Sequence, residues 1–360
     1  MIELNPIIEL IILNFSIGLI VTISLNIEVG FLRIPQFGRL LAVIAGAINV
    51  AAIPGRILAL YLGLPAGIEY SDHMYNARIV LQIDNWLSQN PLLSVCIFLF
   101  SLILAAIIGG IIGYLCAYPA IRLKGAYLGI TLLTFGEILA SIAWNYPHLV
   151  GGTTGIFVIN PFKFIGKGVS SLITLTILAI AILLFIYSEL LARSPFGRML
   201  KAIRDSEVAA EVYGKDAVKA RSQTLIIGGA IAAVAGALWT LYTGSMKAAT
   251  YTRLTWTFWP WAFMMLGGVG NNLGIFVGVL LFTFTRIGII LYKHQLGNIL
   301  PIATEWLEYI LVGLAIIVII LFRPQGLIPE RPTLTLPRQD IEIIKRKAIE
   351  SSDTETSQVR

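Results

Sequence analysis

Charge is what this sequence has least of: Asp, Glu, Lys and Arg together make 13% of its 360 residues, and His occurs three times and Cys twice. An ordinary soluble domain carries roughly a quarter charged residues, so most soluble classes are excluded at once. Cys96 and Cys116 fall in one apolar run, and on a continuous helix they would sit roughly 30 Å apart, too far to pair. No His-Glu-x-x-His, no Gly-x-Ser-x-Gly and no pair of acids within one apolar run is present, which leaves no motif for a membrane-embedded enzyme. Asp72, His73 and Asp84 share a polar stretch but lack metal-ligand spacing, so neither a metal nor a cofactor is expected. Long polar stretches are scarce as well, and the loops between apolar runs use up most of what remains. Any ATPase or soluble receptor must be a separate chain.

What is there instead is apolar: 57% of the residues, with a mean hydropathy of +0.84. The expected fold is all-α, a polytopic helical membrane protein with about eight transmembrane segments. The first run, Ile7 to Ile27, has no basic leader region and no small-residue cleavage site and reads as a retained span. A second run ends near Leu62, and residues 63–91 read as a polar surface loop. Residues 92–117 form a third span, broken by Tyr118-Pro119, and a fourth ends near Trp144. Gly151, Gly152 and Gly155 follow without a Gly-Lys-Ser/Thr and read as tight turns rather than a phosphate loop. A fifth span covers about Ser171 to Ala192, and a sixth, about Thr224 to Tyr242, carries small residues at close-packing spacings. The stretch Trp256 to Tyr292 is interrupted by Gly267-Gly268-Val269-Gly270-Asn271-Asn272, which predicts a broken or re-entrant helix. A last span, about Trp306 to Phe322, precedes a polar tail, giving a membrane domain over 1–330 and a disordered tail over 331–360.

Basic residues set the orientation. Arg33 and Arg39, Arg122 and Lys124, and the dense set from Arg193 to Arg221 fall on one side if spans alternate. These are expected in the cytoplasm, with the N-terminus outside. The tail then shares the cytoplasmic side only if Trp256 to Tyr292 crosses twice or not at all. The net charge of +6 is explained by these loops, and no nucleic-acid partner is expected.

Two places carry candidate function. In Arg193 to Gly214, Ser194 caps a short helix with Pro195 at its first position, and Asp205 or Ser206 caps a second that Gly214 ends. Each helix has an apolar strip and a charged face, although such a segment taken alone reads equally as an ordinary basic loop. The second place is a translocation path, with Glu137 and Thr134 on the fourth span and Gly267, Gly268, Gly270 and Asn271 at the break. An acid inside a span costs about 2.5–3.5 kcal/mol on insertion scales, so Glu137 faces a cavity or partner, unless it lies close enough to the end of its span to reach the interface. Apart from Arg56 and Arg286, Glu137 is the only fair candidate for the several intramembrane charges that ion coupling in a secondary transporter or channel needs.

Ser24-Leu25-Asn26 with Val29-Gly30, Arg122 to Tyr127, Phe135-Gly136-Glu137-Ile138, Gly151 to Ile156, Lys201 to Gly214, Leu266 to Gly270 and Phe322 to Leu327 occur in this order. The chain, from about Ser24 to Pro329, resembles LivM-type permeases, the membrane subunits of ATP-binding-cassette importers for branched-chain amino acids. The resemblance implies a multi-pass protein of the prokaryotic plasma (inner) membrane, surrounded by lipid. It implies as partners the ATP-binding-cassette ATPase subunits, a second related permease completing a heterodimeric pore, and an extracytoplasmic solute-binding protein. It also implies that Arg204, Asp205, Glu207, Ala209, Ala210, Glu211 and Gly214 form the coupling loop that docks on the ATPase. Arg33 to Gly38 replaces the family's usual Ser-Leu-Gly-His-type stretch, and the polar loop 63–91 is unusual, so urea or a short-chain amide stands as the alternative substrate.

Overall fold

In the computed structural model the described residues are 5–123, 125–166, 168–292, 309–310, 313–314, 317–318, 321–323, 325–330 and 342–343. The chain divides into two compact units, Met1–Pro329 and Glu330–Arg360, and the fold that follows is that of the first. The expected last span and the polar tail lie largely outside the described residues.

Local rules account for the helix starts. Asn5 caps α1 (Pro6–Leu25), its side chain accepting from the Ile7 N–H while Pro6 takes the first position. The helix widens into a π turn, Asn26–Gly30, and α2 follows over Arg39–Tyr61. Residues 63–91 are not a loop. They hold α3 (Ile68–Ser71) and α4 (His73–Gln89), the latter capped by Asp72. Ile79, Val80, Ile83 and Leu87 recur at helical spacing and are buried; average polarity conceals that period. Pro119 does not end the third span: α5 runs over Pro91–Arg122 with Pro119 inside it, the helix continuing past the one backbone N–H that Pro119 lacks.

The remaining elements are α6 (Ala126–Asn145), α7 (Pro147–Val150), α8 (Val169–Arg193), α9 (Pro195–Asp205), α10 (Glu207–Val212) and α11 (Ala217–Thr243). A short antiparallel pair joins β1 (Ile156–Phe157) to β2 (Ser245–Met246). A second π turn, Leu254–Phe258, leads into α12 (Trp259–Gly267), and α13 spans Asn272–Leu291. Seven of the described helices are long and apolar enough to cross a membrane.

Helix α11 is the centre of the bundle, packed chiefly against α5 and α2. Small residues let these backbones approach: a Cβ on Gly46 would lie 1.9 Å from the Ala233 carbonyl oxygen, and one on Gly113 would lie 2.1 Å from that of Leu225. The break between α12 and α13 is present as expected, and the two helices return antiparallel. Trp259 meets Phe282 edge-on, and Gly278 lies against the Phe263 carbonyl. The stretch is thus a helical hairpin whose first arm, Leu254–Gly267, is short.

Candidate functional site: a braced loop and a charged groove

The loop between α8 and α11 folds as its punctuation requires. The Ser194 hydroxyl accepts from the Gly197 N–H and that of Ser206 from the Ala209 N–H, while Gly214 turns the chain at φ +73°. Leu200 and Ile203 of α9 are buried, as is Ala210 of α10. Val208, Val212 and Tyr213 are 75%, 80% and 83% exposed, and Ala209 and Glu211 are exposed beside them. Glu207 pairs with Arg221 at 2.9 Å, fixing α10 to the start of α11. Arg204 holds Asp205 at 3.2 Å and also donates to the Gly30 carbonyl at 2.8 Å, and the Lys201 ammonium lies 5.4 Å from the centre of the Phe31 ring. The loop is therefore braced on the π turn of α1.

Sequence reasoning missed that π turn. Asn26 accepts from the Gly270 N–H at 2.9 Å and donates to the Asn272 side-chain oxygen at 3.0 Å. Ser188 donates to the same oxygen, and Asn272 donates to Glu189 at 3.1 Å. These bonds join the end of α8, the π turn and the α12–α13 break. Two residues on, Glu28 reaches Arg39; Arg39, which reads in the sequence as a free loop cation, is buried in that pair. An acid and a base flanking one short loop are the available signal.

The candidate path residues fall into two groups that the fold does not bring together. Gly267, Gly268, Gly270 and Asn271 form the hairpin turn. There the Leu327 and Ile328 N–H groups bond to the Leu266 and Gly267 carbonyls, and Asn271 donates to the Ile328 and Pro329 carbonyls. Glu137 and Thr134 lie on α6, and Glu137 faces Arg253, at the other end of the arm Leu254–Gly267, roughly 20 Å away along a helical rise. The Thr134 hydroxyl is satisfied by the Ile130 carbonyl of its own helix, whereas Glu137 has no such internal partner.

Glu137 and Arg253 stand 3.7 Å apart, 41% and 58% exposed. They line a groove of about 300 Å³ with Ser141, Trp144 and Asn145 on one side and Ala248, Tyr251 and Thr252 on the other. The Tyr251 wall is rigid: its phenol hydrogen-bonds with Thr240 at 2.7 Å and its ring stacks on Trp256. Burial pushes that phenol up, so it stays neutral. Arg56 and Arg286, the two other charges singled out in the sequence, have structural partners. Arg56 donates to Ser71 at 2.6 Å and to the His148 carbonyl at 2.7 Å, and Arg286 lies beside Asn14 and 4.9 Å from the Trp259 ring.

Asp72, His73 and Asp84 are engaged separately, in a helix cap, with the Gly155 carbonyl and with the Asn160 N–H.

No solved structure matches the chain. A family model described as the permease component of branched-chain amino acid transport systems matches residues 7–320. A probable branched-chain amino acid transport permease protein LivM of Methanocaldococcus jannaschii is 37% identical over 348 residues, covering 96% of this chain and 98% of the relative. The high-affinity LivM permease protein of Salmonella typhimurium is 26% identical over 65% of this chain and 58% of its own length. A probable LivH permease protein of M. jannaschii is 29% identical over 41% of this chain and 49% of its own length. With its bundle of spanning helices matched along almost its whole length, the chain belongs to the family of branched-chain amino acid transport permease components.

Proposed function

We propose that this chain is the membrane subunit of an ATP-driven importer of branched-chain amino acids in a prokaryotic plasma membrane, coupled to a separate ATPase through α9 and α10. The observation that carries this reading is the apolar face Val208–Val212–Tyr213, held out on a loop that is itself pinned to α1 and α11. A rim of exposed large apolar groups on a rigid mount is what a partner groove takes up. The loop's brace leads through Gly30 and Asn26 to the α12–α13 turn, so a push on α10 is passed to the membrane helices rather than absorbed. That M. jannaschii has both a LivM-type and a LivH-type permease similar to this chain supports a pore built from two related subunits. A solute-binding protein would deliver substrate to the opposite face.

The test is ATPase retention on the purified permease. Ala209 is exposed and Gly214 has open space around its Cβ position, so Ala209→Trp acts by bulk at the partner and Gly214→Val by strain at positive φ. Each is expected to weaken retention roughly fivefold to a hundredfold, with Ser170→Trp as control. Retention and coupling equal to the control in both variants would leave the segment an ordinary basic loop.

A further inference from the structure

The groove between α6 and the Tyr251–Arg253 segment holds one acid and one base that do not complete each other. At 3.7 Å, Glu137 and Arg253 are beyond hydrogen-bonding distance. A guanidinium satisfied by a carboxylate binds it in a fork near 2.8 Å, roughly an ångström closer. Both groups are therefore left with donors and acceptors turned to the groove, beside the apolar surfaces of Trp144, Ala140 and Ala248. The volume of about 300 Å³ gives room for roughly ten non-hydrogen atoms at liquid packing. We propose that this groove binds a zwitterionic α-amino acid, its carboxylate on Arg253, its ammonium on Glu137 and its aliphatic side chain on Trp144 and the alanines. An α-amino acid carries its two charges one carbon apart, so it can insert into a loose ion pair and replace one weak contact by two strong ones. Urea and simple amides carry no charge to offset the separation of the pair, so the groove selects against them. The assignment deepens the proposed function and rests on it, since it supplies a substrate site to an amino-acid permease.

The reporter is Ser141→Cys, on the groove wall one helical turn from Glu137, in a background with Cys96 and Cys116 replaced by Ala. The transporter, assembled with its partner subunits, is treated with a small thiol reagent in the presence of leucine, leucinamide or 4-methylpentanoate. Leucine is expected to slow labelling at least fivefold. Leucinamide, which lacks the carboxylate, and 4-methylpentanoate, which lacks the ammonium, should need about ten to a hundred times the concentration, the loss expected for one charged hydrogen-bonding partner. Glu137→Gln and Arg253→Gln should abolish protection, and Arg253→Lys should restore part of it. Equal protection by leucinamide or 4-methylpentanoate, or full protection in the Gln variants, overturns the assignment. Uptake measured in parallel separates the two levels. Transport of urea or acetamide without leucine sinks the proposed function itself; leucine uptake with the introduced thiol labelled equally fast in its presence and absence sinks only the groove.

Discussion

The carboxylate of Glu28 and the guanidinium of Arg39 meet at 2.5 Å where neither side chain is more than 1% exposed, and Arg39 also donates to the Gly228 carbonyl at 3.0 Å. The pair ties the π turn to α2 and α11. Removing one partner leaves an uncompensated buried charge, at a cost of about 3–5 kcal/mol. Arg39→Met is therefore expected to lower the thermal midpoint of the detergent-solubilised protein markedly, and Glu28→Gln added to it should recover most of the loss. A midpoint for Arg39→Met equal to wild type would show the pair to be energetically idle.

Asp84, on the polar helix α4, accepts from the Asn160 N–H at 2.8 Å, and burial raises its pKa to about 6, the Asn160 bond and Lys163 only partly opposing this. The folded state thus holds the proton more tightly than the unfolded chain, whose carboxyl titrates near 3.8. Stability from this group is present at low pH and is lost as pH rises from about 4 to 6, by at most about 1.4 kcal/mol per unit. Asp84→Asn keeps an acceptor for Asn160 and should flatten the wild-type decline in thermal midpoint over that window. An unchanged slope in the variant would place the titration elsewhere.

Helix packing gives a contrast between neighbouring small residues. A Cβ on Gly46 meets backbone of α11 at 1.9 Å, whereas one on Gly110 meets the Ile226 side-chain methyl at 3.5 Å and the Ile226 carbonyl oxygen at 3.9 Å, both ordinary contacts. Gly46→Ala should cost about 1–3 kcal/mol and reduce the folded yield, while Gly110→Ala should be neutral or mildly stabilising. Size-exclusion recovery after mild heating ranks the two, and equal recovery contradicts the close α2–α11 approach.

Orientation is testable at two exposed positions. Met74 on α4 and Lys215 beyond α10 are exposed. With native cysteines replaced, Met74→Cys should react with an impermeant thiol reagent outside intact cells and Lys215→Cys should not. The reverse pattern turns the whole topology over.

The seven described spans are legible in the sequence because each contains an apolar run close to the length a bilayer needs, and the α9–α10 loop because Ser194, Pro195, Ser206 and Gly214 each have one strong local use. Helix α4 is hidden by composition: His73, Arg78 and Asp84 outweigh its buried Ile79, Val80, Ile83 and Leu87 in any average. The partners of the charges are hidden for another reason. Nothing local pairs Glu137 with Arg253 or Asn26 with Asn272, because those contacts depend on how α11, α12 and α13 turn back across the bundle. Only the cost of polar groups in a membrane groups the path residues, and cost does not say which end of a helix a residue occupies.

The π turn at Asn26–Gly30 has a geometric consequence for everything before it. Its closing bond runs from the Phe31 N–H to the Asn26 carbonyl, a wider ring than an α-helix makes. One residue more per turn is stored there, which aims Asn26 at Gly270 and Glu28 at Arg39 together. Deleting a single residue from the turn would restore an ordinary helix without opening a gap in its hydrogen bonds, yet it would rotate α1 by roughly 100° about its own axis. Glu9 would then swing away from Ser170 and Ser171 on α8, and Asn14 away from Arg286 on α13. The bulge is thus a phase setting for the first helix, and one codon's length is all that separates the native seam from a mismatched one.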